Sequence, residues 1–292
     1  MKYLVTGATG AFGARAIETL SKKVGVGDIA ASVRDKSKAK KLIDMGIDVR
    51  QADFNDPRSL DEAFSGIDRV LMVSTNEPID EKRIKQHTNA INAAKKNGAK
   101  LLVYTSGTNN PERPAPLAVA HIATEEILTE SGIPYCILRN NSYLETEIST
   151  IKACMSGAPL VTSAGSGKVG FAPRSDYADA AVSALIGNGN ENKVYELSGK
   201  PVSYDEFANI LGKTLGKEIP VKHVDDKTYA DILRRTGVPD IMIDMLAGTK
   251  KSIREGDMEV CSGDLERLLG RPATSLADGL SRLVKLLRQD LS

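Results

Sequence analysis

Lys2-Tyr3-Leu4-Val5-Thr6-Gly7-Ala8-Thr9-Gly10-Ala11-Phe12-Gly13-Ala14-Arg15-Ala16-Ile17-Glu18-Thr19-Leu20 is the stretch on which the fold turns. A short apolar run meets three glycines within seven residues, and Ile17 and Leu20 then recur at helical spacing. Glycine lets the backbone turn tightly and lets another group come close. The helix that follows offers unpaired N–H groups and the positive end of its dipole. Strand, turn and helix in this order form a cradle for a pyrophosphate, so Gly7, Ala8, Thr9, Gly10, Ala11, Phe12 and Gly13 are candidate binding residues. Plain turn glycines would explain the bend, but not its place at the start of a βαβ unit.

The rhythm continues outward. Apolar runs at 2–6, 29–33, 47–51, 69–74, 100–105 and 134–138 alternate with helical patterns near 11–23, 36–44, 57–65, 81–97 and 121–131. Strands separated by crossover helices predict an α/β chain with a doubly wound parallel sheet of Rossmann type. Asp56 precedes Pro57 as a helix cap, and Gly46, Gly66, Gly98 and Gly132 stand where helices should stop. After about residue 140 helical patterns dominate, near 143–156, 175–187, 203–216, 225–236, 239–247, 263–269 and 275–289, with one clear strand at 193–197. The expected division is a dinucleotide-binding domain, 1–142, and a smaller, mainly helical substrate-binding lobe, 143–292, able to return a strand or helix to the first.

The end of the second strand bears on the choice of dinucleotide. An acidic residue there would grip the ribose 2′-hydroxyl of NAD; the sequence instead reads Ser32-Val33-Arg34. A guanidinium can form paired hydrogen bonds to a 2′-phosphate, so NADPH is the expected cofactor and Arg34 its reader. Lys36, Lys38, Lys40 and Lys41 read as a solvated helix face. Asp53 either bounds the adenine pocket or stabilises a turn. Ligands of such sheets bind beyond the carboxyl ends of the strands. That singles out Ser74, Thr75 and Asn76, then Thr105 to Gly107, then Arg139, Asn140, Asn141, Ser142 and Tyr143, all equally open to turn and capping roles.

Composition narrows the class. At 41% apolar and 26% charged residues the chain can bury a core, which excludes disorder as its main state. A formal charge of +1 leaves no global field to draw it to nucleic acid or an anionic membrane. Cys136, Cys154 and Cys261 are dispersed and make neither a disulfide framework nor a metal site. No run approaches the ~18 apolar residues of a membrane span, and the opening turns to glycine too early for a signal peptide. A cytoplasmic, unprocessed protein is expected.

Val5 to Gly13, Ser32-Val33-Arg34, Val49 to Phe54, His121-Ile122-Ala123-Thr124-Glu125, Ser131 to Asn140, Lys193 to Gly199 and Leu269 to Ala277 together resemble the NmrA-like group of atypical short-chain dehydrogenases/reductases. Within it the chain is most similar to the flavin-free bacterial NADPH:quinone oxidoreductases of type 2, along nearly its whole length. The resemblance implies direct reduction of small quinones, with Gly7 to Gly13, Arg34, Ser74 and Asn140 to Tyr143 near the cofactor. The wider superfamily's Tyr-x-x-x-Lys is missing: His121 stands where the lysine is expected and Leu117 four residues earlier. Carbonyl reduction to an alcohol needs an acid to protonate an alkoxide. A quinone is less demanding, because its reduced anion is delocalised and alignment of two flat rings does most of the work.

His121, Asn141 and Tyr143 are the candidate catalytic residues. His121 could donate to ribose or quinone oxygen and switch charge near neutral pH, with a purely structural role of equal weight. Asn141 and Tyr143 could orient the ring, and Tyr143 is equally readable as a core aromatic. The turn at Ala164 to Lys168 is expected to edge the cleft, with Phe12 and Phe171 near it. The competing function is an NADP(H)-binding redox sensor without turnover; a sugar-nucleotide epimerase fits less well, lacking Tyr-x-x-x-Lys. The expected partner is a small-molecule quinone or related electrophile, with a homodimer open and neither nucleic acid nor membrane.

Overall fold

In the computed structural model, which describes residues 1–116 and 118–289, the predicted strands pair in a parallel sheet. These are β1 (Tyr3–Val5), β2 (Ile29–Val33), β3 (Asp48–Gln51), β4 (Arg69–Met72), β5 (Leu101–Gly107) and β6 (Tyr135–Asn140). The strands β7 (Leu160–Thr162) and β8 (Val169–Gly170) lie outside it, and β9 (Lys193–Leu197) returns to its edge. The order is β3-β2-β1-β4-β5-β6-β9, with Val5 between Ala31 and Leu71. Successive strands are added outward on one side as far as β3 and then on the other from β4, and this switch between the parallel β1 and β4 opens a crevice at their carboxyl ends.

The helices between strands are α1 (Ala11–Leu20), α2 (Lys40–Asp44), α3 (Pro57–Phe64), α4 (Asp80–Lys96), α5 (Val119–Glu130), α6 (Ile148–Met155) and α7 (Arg174–Ile186). Each strand turns alternate residues to opposite faces, and both faces are covered. Val5, Leu71 and Val103 share one core with Ile17 and Leu20 of α1 and Tyr177 and Leu185 of α7. Leu4, Met72 and Tyr104 share the other with Leu60 and Phe64 of α3, Ile91 of α4 and Leu128 of α5. The segment after residue 142 therefore supplies a sheet-layer helix and the last strand as well as a lobe. Asp56 caps α3 by accepting from Arg58 N at 3.0 Å, with Pro57 in the first turn. Gly46, Gly66, Gly98 and Gly132 all take positive φ.

The lobe contains β10 (Pro201–Val202), α8 (Tyr204–Leu215), β11 (Val221–His223), α9 (Asp226–Arg235), α10 (Asp240–Arg254), α11 (Asp264–Leu269) and α12 (Leu276–Gln289). Its own core gathers Leu144, Ile151, Phe171, Phe207, Leu211, Ile253 and Leu280. Two small pairings, β7 with β11 and β8 with β10, appear where the sequence predicts no strand. Strands of two or three residues are too short to carry an alternating pattern. The helix expected at 143–156 is divided, a 3₁₀ turn over Leu144–Glu147 preceding α6. The pattern at 36–44 divides in the same way, a 3₁₀ turn over Lys36–Ala39 preceding α2. Among the described residues no helix is long and apolar enough to cross a membrane.

Candidate active site

At the end of β1 the chain turns through Gly7, whose φ of +59° suits glycine, and Gly10 N donates to Gly7 O at 2.9 Å. Gly13 sits so close to this turn that a Cβ would lie 2.4 Å from Gly7 O and 2.9 Å from Ala8 Cα. Ala8 N donates to Ser32 O at 3.3 Å, which ties the loop to β2. No side chain caps the start of α1, so its first N–H groups face the crevice end of the sheet without a side-chain acceptor. Gly7, Thr9, Gly10 and Ala11 are exposed. Phe12 is buried, its ring centroid 6.2 Å from that of Tyr143.

One strand along, Arg34 follows Val33 of β2 exposed and makes no side-chain hydrogen bond or ion pair among the described residues. Asp35 turns away, accepting from Ser37 N at 2.9 Å and Ser37 Oγ at 2.6 Å. Asp53 stands just past β3, where its Oδ1 accepts from Asn55 N at 2.8 Å and Asn55 Nδ2 at 3.0 Å. Its observed work is to stabilise a turn.

The ends of β4, β5 and β6 are built from paired groups. Ser74 N donates to Thr105 Oγ1 at 2.9 Å, and Thr75 N donates to His87 Nε2 at 3.0 Å. Since Nε2 accepts, Nδ1 carries the proton and donates to Thr124 Oγ1 at 2.9 Å; Thr124 in turn donates to Ala120 O at 2.6 Å. Burial, with the nearby Arg83 charge, pushes His87 down to about 3. His121 is held on both sides: Arg83 Nη2 donates to its Nε2 at 3.1 Å, and its Nδ1 meets the Tyr104 hydroxyl at 2.8 Å. Burial first, then the Arg83 charge, holds His121 well below the ordinary imidazole value. Both the burial and the Arg83 contact favour the neutral ring and a structural role for His121 over a switch near neutral pH.

Asn141 is held firmly as well. Its Nδ2 donates to Ser198 Oγ at 3.1 Å and Met258 O at 3.0 Å, and its Oδ1 accepts from Ser142 N at 2.8 Å. With both amide N–H groups committed, Asn141 is a strut between β6 and the lobe. Asn140 differs. Its Nδ2 donates to the Tyr143 hydroxyl at 3.0 Å, while its Oδ1 is buried without a partner. The Tyr143 ring packs 5.1 Å from Tyr177, with the Arg174 guanidinium 5.3 Å from its centroid. Burial pushes its hydroxyl up to about 12, so it remains a proton donor.

Sequence reasoning missed Arg83, His87 and Tyr104. The available signal was a charged and a titratable residue four apart on the face of α4 that also carries Ala90, Ile91 and Ala94. It also missed that Ser106 Oγ donates to Glu125 Oε1 at 2.5 Å, and that Arg139 bridges Glu125 and Glu196 at 2.6 and 2.9 Å. Phe171 does not approach the crevice; it is buried beside Phe207 and Tyr204 in the lobe. The Ala164–Lys168 turn packs on α10, since a Cβ on Gly167 would lie 2.0 Å from Ile253 O. Leu117 lies outside the described residues. A cavity of about 120 Å³ opens beside Arg83, between Glu77, Pro78, Pro116 and Met245. A larger one of about 660 Å³ lies on the lobe along α8, away from these groups.

Residues 7–191 match the family model described as NAD(P)H-binding, which starts on the first glycine of the cradle. The chain belongs to the NAD(P)H-binding family. This NAD(P)H-binding protein is 39% identical over 280 residues to quinone oxidoreductase 2 of Escherichia coli (strain K12), covering 96% of this chain and 97% of that one. The crystal structure of an NADPH-dependent quinone oxidoreductase from Escherichia coli complexed with NADPH superposes with a TM-score of 0.92 at 38% identity. That match covers 97% of this chain and 99% of the other. A triphenylmethane reductase from Citrobacter sp. matches equally well, with a TM-score of 0.92 at 35% identity over 98% of this chain and all of its own. The NmrA-like, Rossmann-type reading drawn from the motifs is met. The residues present also fit a dinucleotide: a close-approach cradle, an uncapped helix start and, at the end of β6, the buried Asn140 Oδ1 lacking a donor.

Proposed function

We propose that this chain is a flavin-free oxidoreductase that uses NADPH to reduce quinones or similar small electrophiles. The observation that carries the reading is the pairing of an uncapped α1 start, reached over Gly7 to Gly13, with an exposed and unpaired Arg34 one strand away. The backbone of Gly7, Ala8, Thr9, Gly10, Ala11, Phe12 and Gly13 would hold the pyrophosphate. Arg34 would take the 2′-phosphate in paired hydrogen bonds, and the Asp53 turn would bound the adenine.

When bound, the cofactor supplies hydride. Ser74 and Thr75 would lie along its ribose, and Asn140 Oδ1, lacking a donor, would accept from its carboxamide. Tyr143, kept protonated by burial, would wall the crevice with Phe12 and can donate a hydrogen bond. His121 would act through Arg83, and Asn141 through the position of β6. No strong acid is required, because a reduced quinone spreads its charge over the ring and draws its last proton from water. The lobe within 143–292 would meet the substrate through α10, the sheet end within 1–142 the cofactor. A cytoplasmic setting belongs to the same reading.

The test is NADPH oxidation by the purified, flavin-free protein with a simple benzoquinone, followed at 340 nm against NADH. Faster oxidation of NADPH supports the reading. Stoichiometric NADPH binding with no turnover across a quinone panel would replace it with a redox sensor.

A further inference from the structure

Among the described residues the buried cations are Lys250, Arg69 and Arg83; only Arg83 has no oxygen acceptor, although Arg69 Nε, like Arg83 Nε, is buried without a partner. Lys250 meets Glu147 at 3.1 Å, and Arg69 donates to the carbonyls of Leu185 and Gly187 at 2.9 and 2.6 Å. Arg83, only 8% exposed near the start of α4, has no carboxylate partner among the described residues. Its Nη2 donates to the neutral His121 at 3.1 Å, and its Nε is buried with no partner at all. A buried charge lacking acceptors is a standing destabilisation, which a ligand oxygen bearing partial negative charge would relieve. Arginine stays protonated through it.

The guanidinium is also aimed. His121 is fixed from behind by Tyr104 at 2.8 Å, so the Arg83 fork cannot swing toward the sheet. It lines the cavity of about 120 Å³ together with apolar Pro78, Pro116, Ile241 and Met245 and the carboxylates Glu77, Asp80 and Asp244, none of which forms an ion pair with it among the described residues. Close seating of α10 there depends on Gly248, where a Cβ would come within 2.6 Å of Pro116 Cδ. Four apolar residues and a single cation in that lining suit a flat, neutral ring whose oxygen meets Arg83, while the three carboxylates disfavour an anionic ligand.

We propose that Arg83 receives the carbonyl oxygen of the substrate and stabilises the negative charge that develops on it. This rests on the quinone-reductase reading. In the reaction the quinone gains a hydride, NADPH being oxidised to NADP⁺, and becomes the hydroquinone monoanion; one proton from water completes the hydroquinone. The charge therefore appears on oxygen before the proton arrives, and a preorganised donor at that oxygen accelerates the step.

Arg83→Gln and Arg83→Lys separate this role from a structural one. Each variant is assayed with benzoquinone and with N-methylacridinium, a flat cation that accepts hydride at carbon and develops no oxygen charge; NADPH affinity and melting temperature are measured alongside. The expected result for Arg83→Gln is a fall in kcat/KM for benzoquinone of roughly 100-fold, with NADPH affinity held within about threefold. Its benzoquinone-to-acridinium rate ratio should drop at least about tenfold, and Arg83→Lys should recover part of the loss. An Arg83→Gln protein that reduces benzoquinone like the parent, or that loses both acceptors in equal proportion, overturns the inference alone. A parent protein that binds NADPH but reduces no quinone instead removes the reading beneath it.

Discussion

Around β1, β2 and β3 the groups facing the crevice are left free: the start of α1 has no side-chain cap, and Arg34 is exposed and unpaired. Around β4, β5 and β6 nearly every polar side chain is committed to another, through Thr75–His87–Thr124, Arg83–His121–Tyr104 and Ser106–Glu125–Arg139–Glu196. The first half resembles a socket, complete only when an anion fills it. The second is a scaffold that spends most of its hydrogen bonds on itself and leaves some buried polar atoms unanswered, Arg83 Nε and Asn140 Oδ1 among them. Free groups suit recognition of a ligand made largely of phosphate and ribose; locked groups suit holding a reacting ring at fixed distance.

The strongest way to break this contrast is Gly13→Val. A side chain there collides with the backbone of Gly7 and Ala8, so NADPH affinity should fall by at least about 100-fold, about 3 kcal/mol in binding, measured by calorimetric titration. Wild-type affinity in that variant would show that the cradle is not where the cofactor sits. On the scaffold side, Arg139→Leu leaves Glu125 and Glu196 facing one another without their shared cation. It should lower the unfolding free energy by about 3 kcal/mol in denaturant melts, while NADPH affinity per folded molecule changes little. Arg34→Ala should weaken NADPH binding by roughly 10- to 100-fold and NADH binding by no more than about threefold. Equal losses for both nucleotides would remove the 2′-phosphate assignment.

The smallest effect concerns pH. His87 and His121 are neutral in the fold, His87 pushed down to about 3, whereas in the unfolded chain each titrates near 6.5. As pH falls through 6.5 the unfolded state binds protons first. Their contribution to stability is complete above that value and is lost progressively down to the folded value. The unfolding free energy, measured in denaturant melts, should therefore decline from pH 7 to 5 with a slope of roughly 1 kcal/mol per pH unit for each ring. The turnover rate, by contrast, should show no inflection assignable to His121 between about pH 6 and 8. A bell centred near neutrality that vanishes in His121→Asn would restore the switch.

What the sequence makes legible follows the same division. Gly7 to Gly13 and Arg34 act through local backbone geometry and position at a strand end, so spacing along the chain is enough to find them. Apolar runs buried on both faces reveal the sheet. Arg83 depends on His121, thirty-eight residues away, and Asn141 is consumed by Met258, one hundred and seventeen away; no local pattern announces either pairing. Phe171 reads as a cleft aromatic until three-dimensional packing sets it against Phe207. The lobe's short strands fail for a different reason: two or three residues cannot express a period.

The central claim, that hydride passes from NADPH to a quinone without flavin, is tested most directly with NADPH deuterated in turn at each of its two nicotinamide C4 positions. Oxidation at 340 nm is followed after addition of benzoquinone to the flavin-free protein, above the rate in buffer alone. The account predicts enzyme-dependent oxidation that slows with deuterium on one face and not on the other, with that deuterium absent from the NADP⁺ formed. Oxidation only at the buffer rate, or slowing that is the same for both faces, would contradict it.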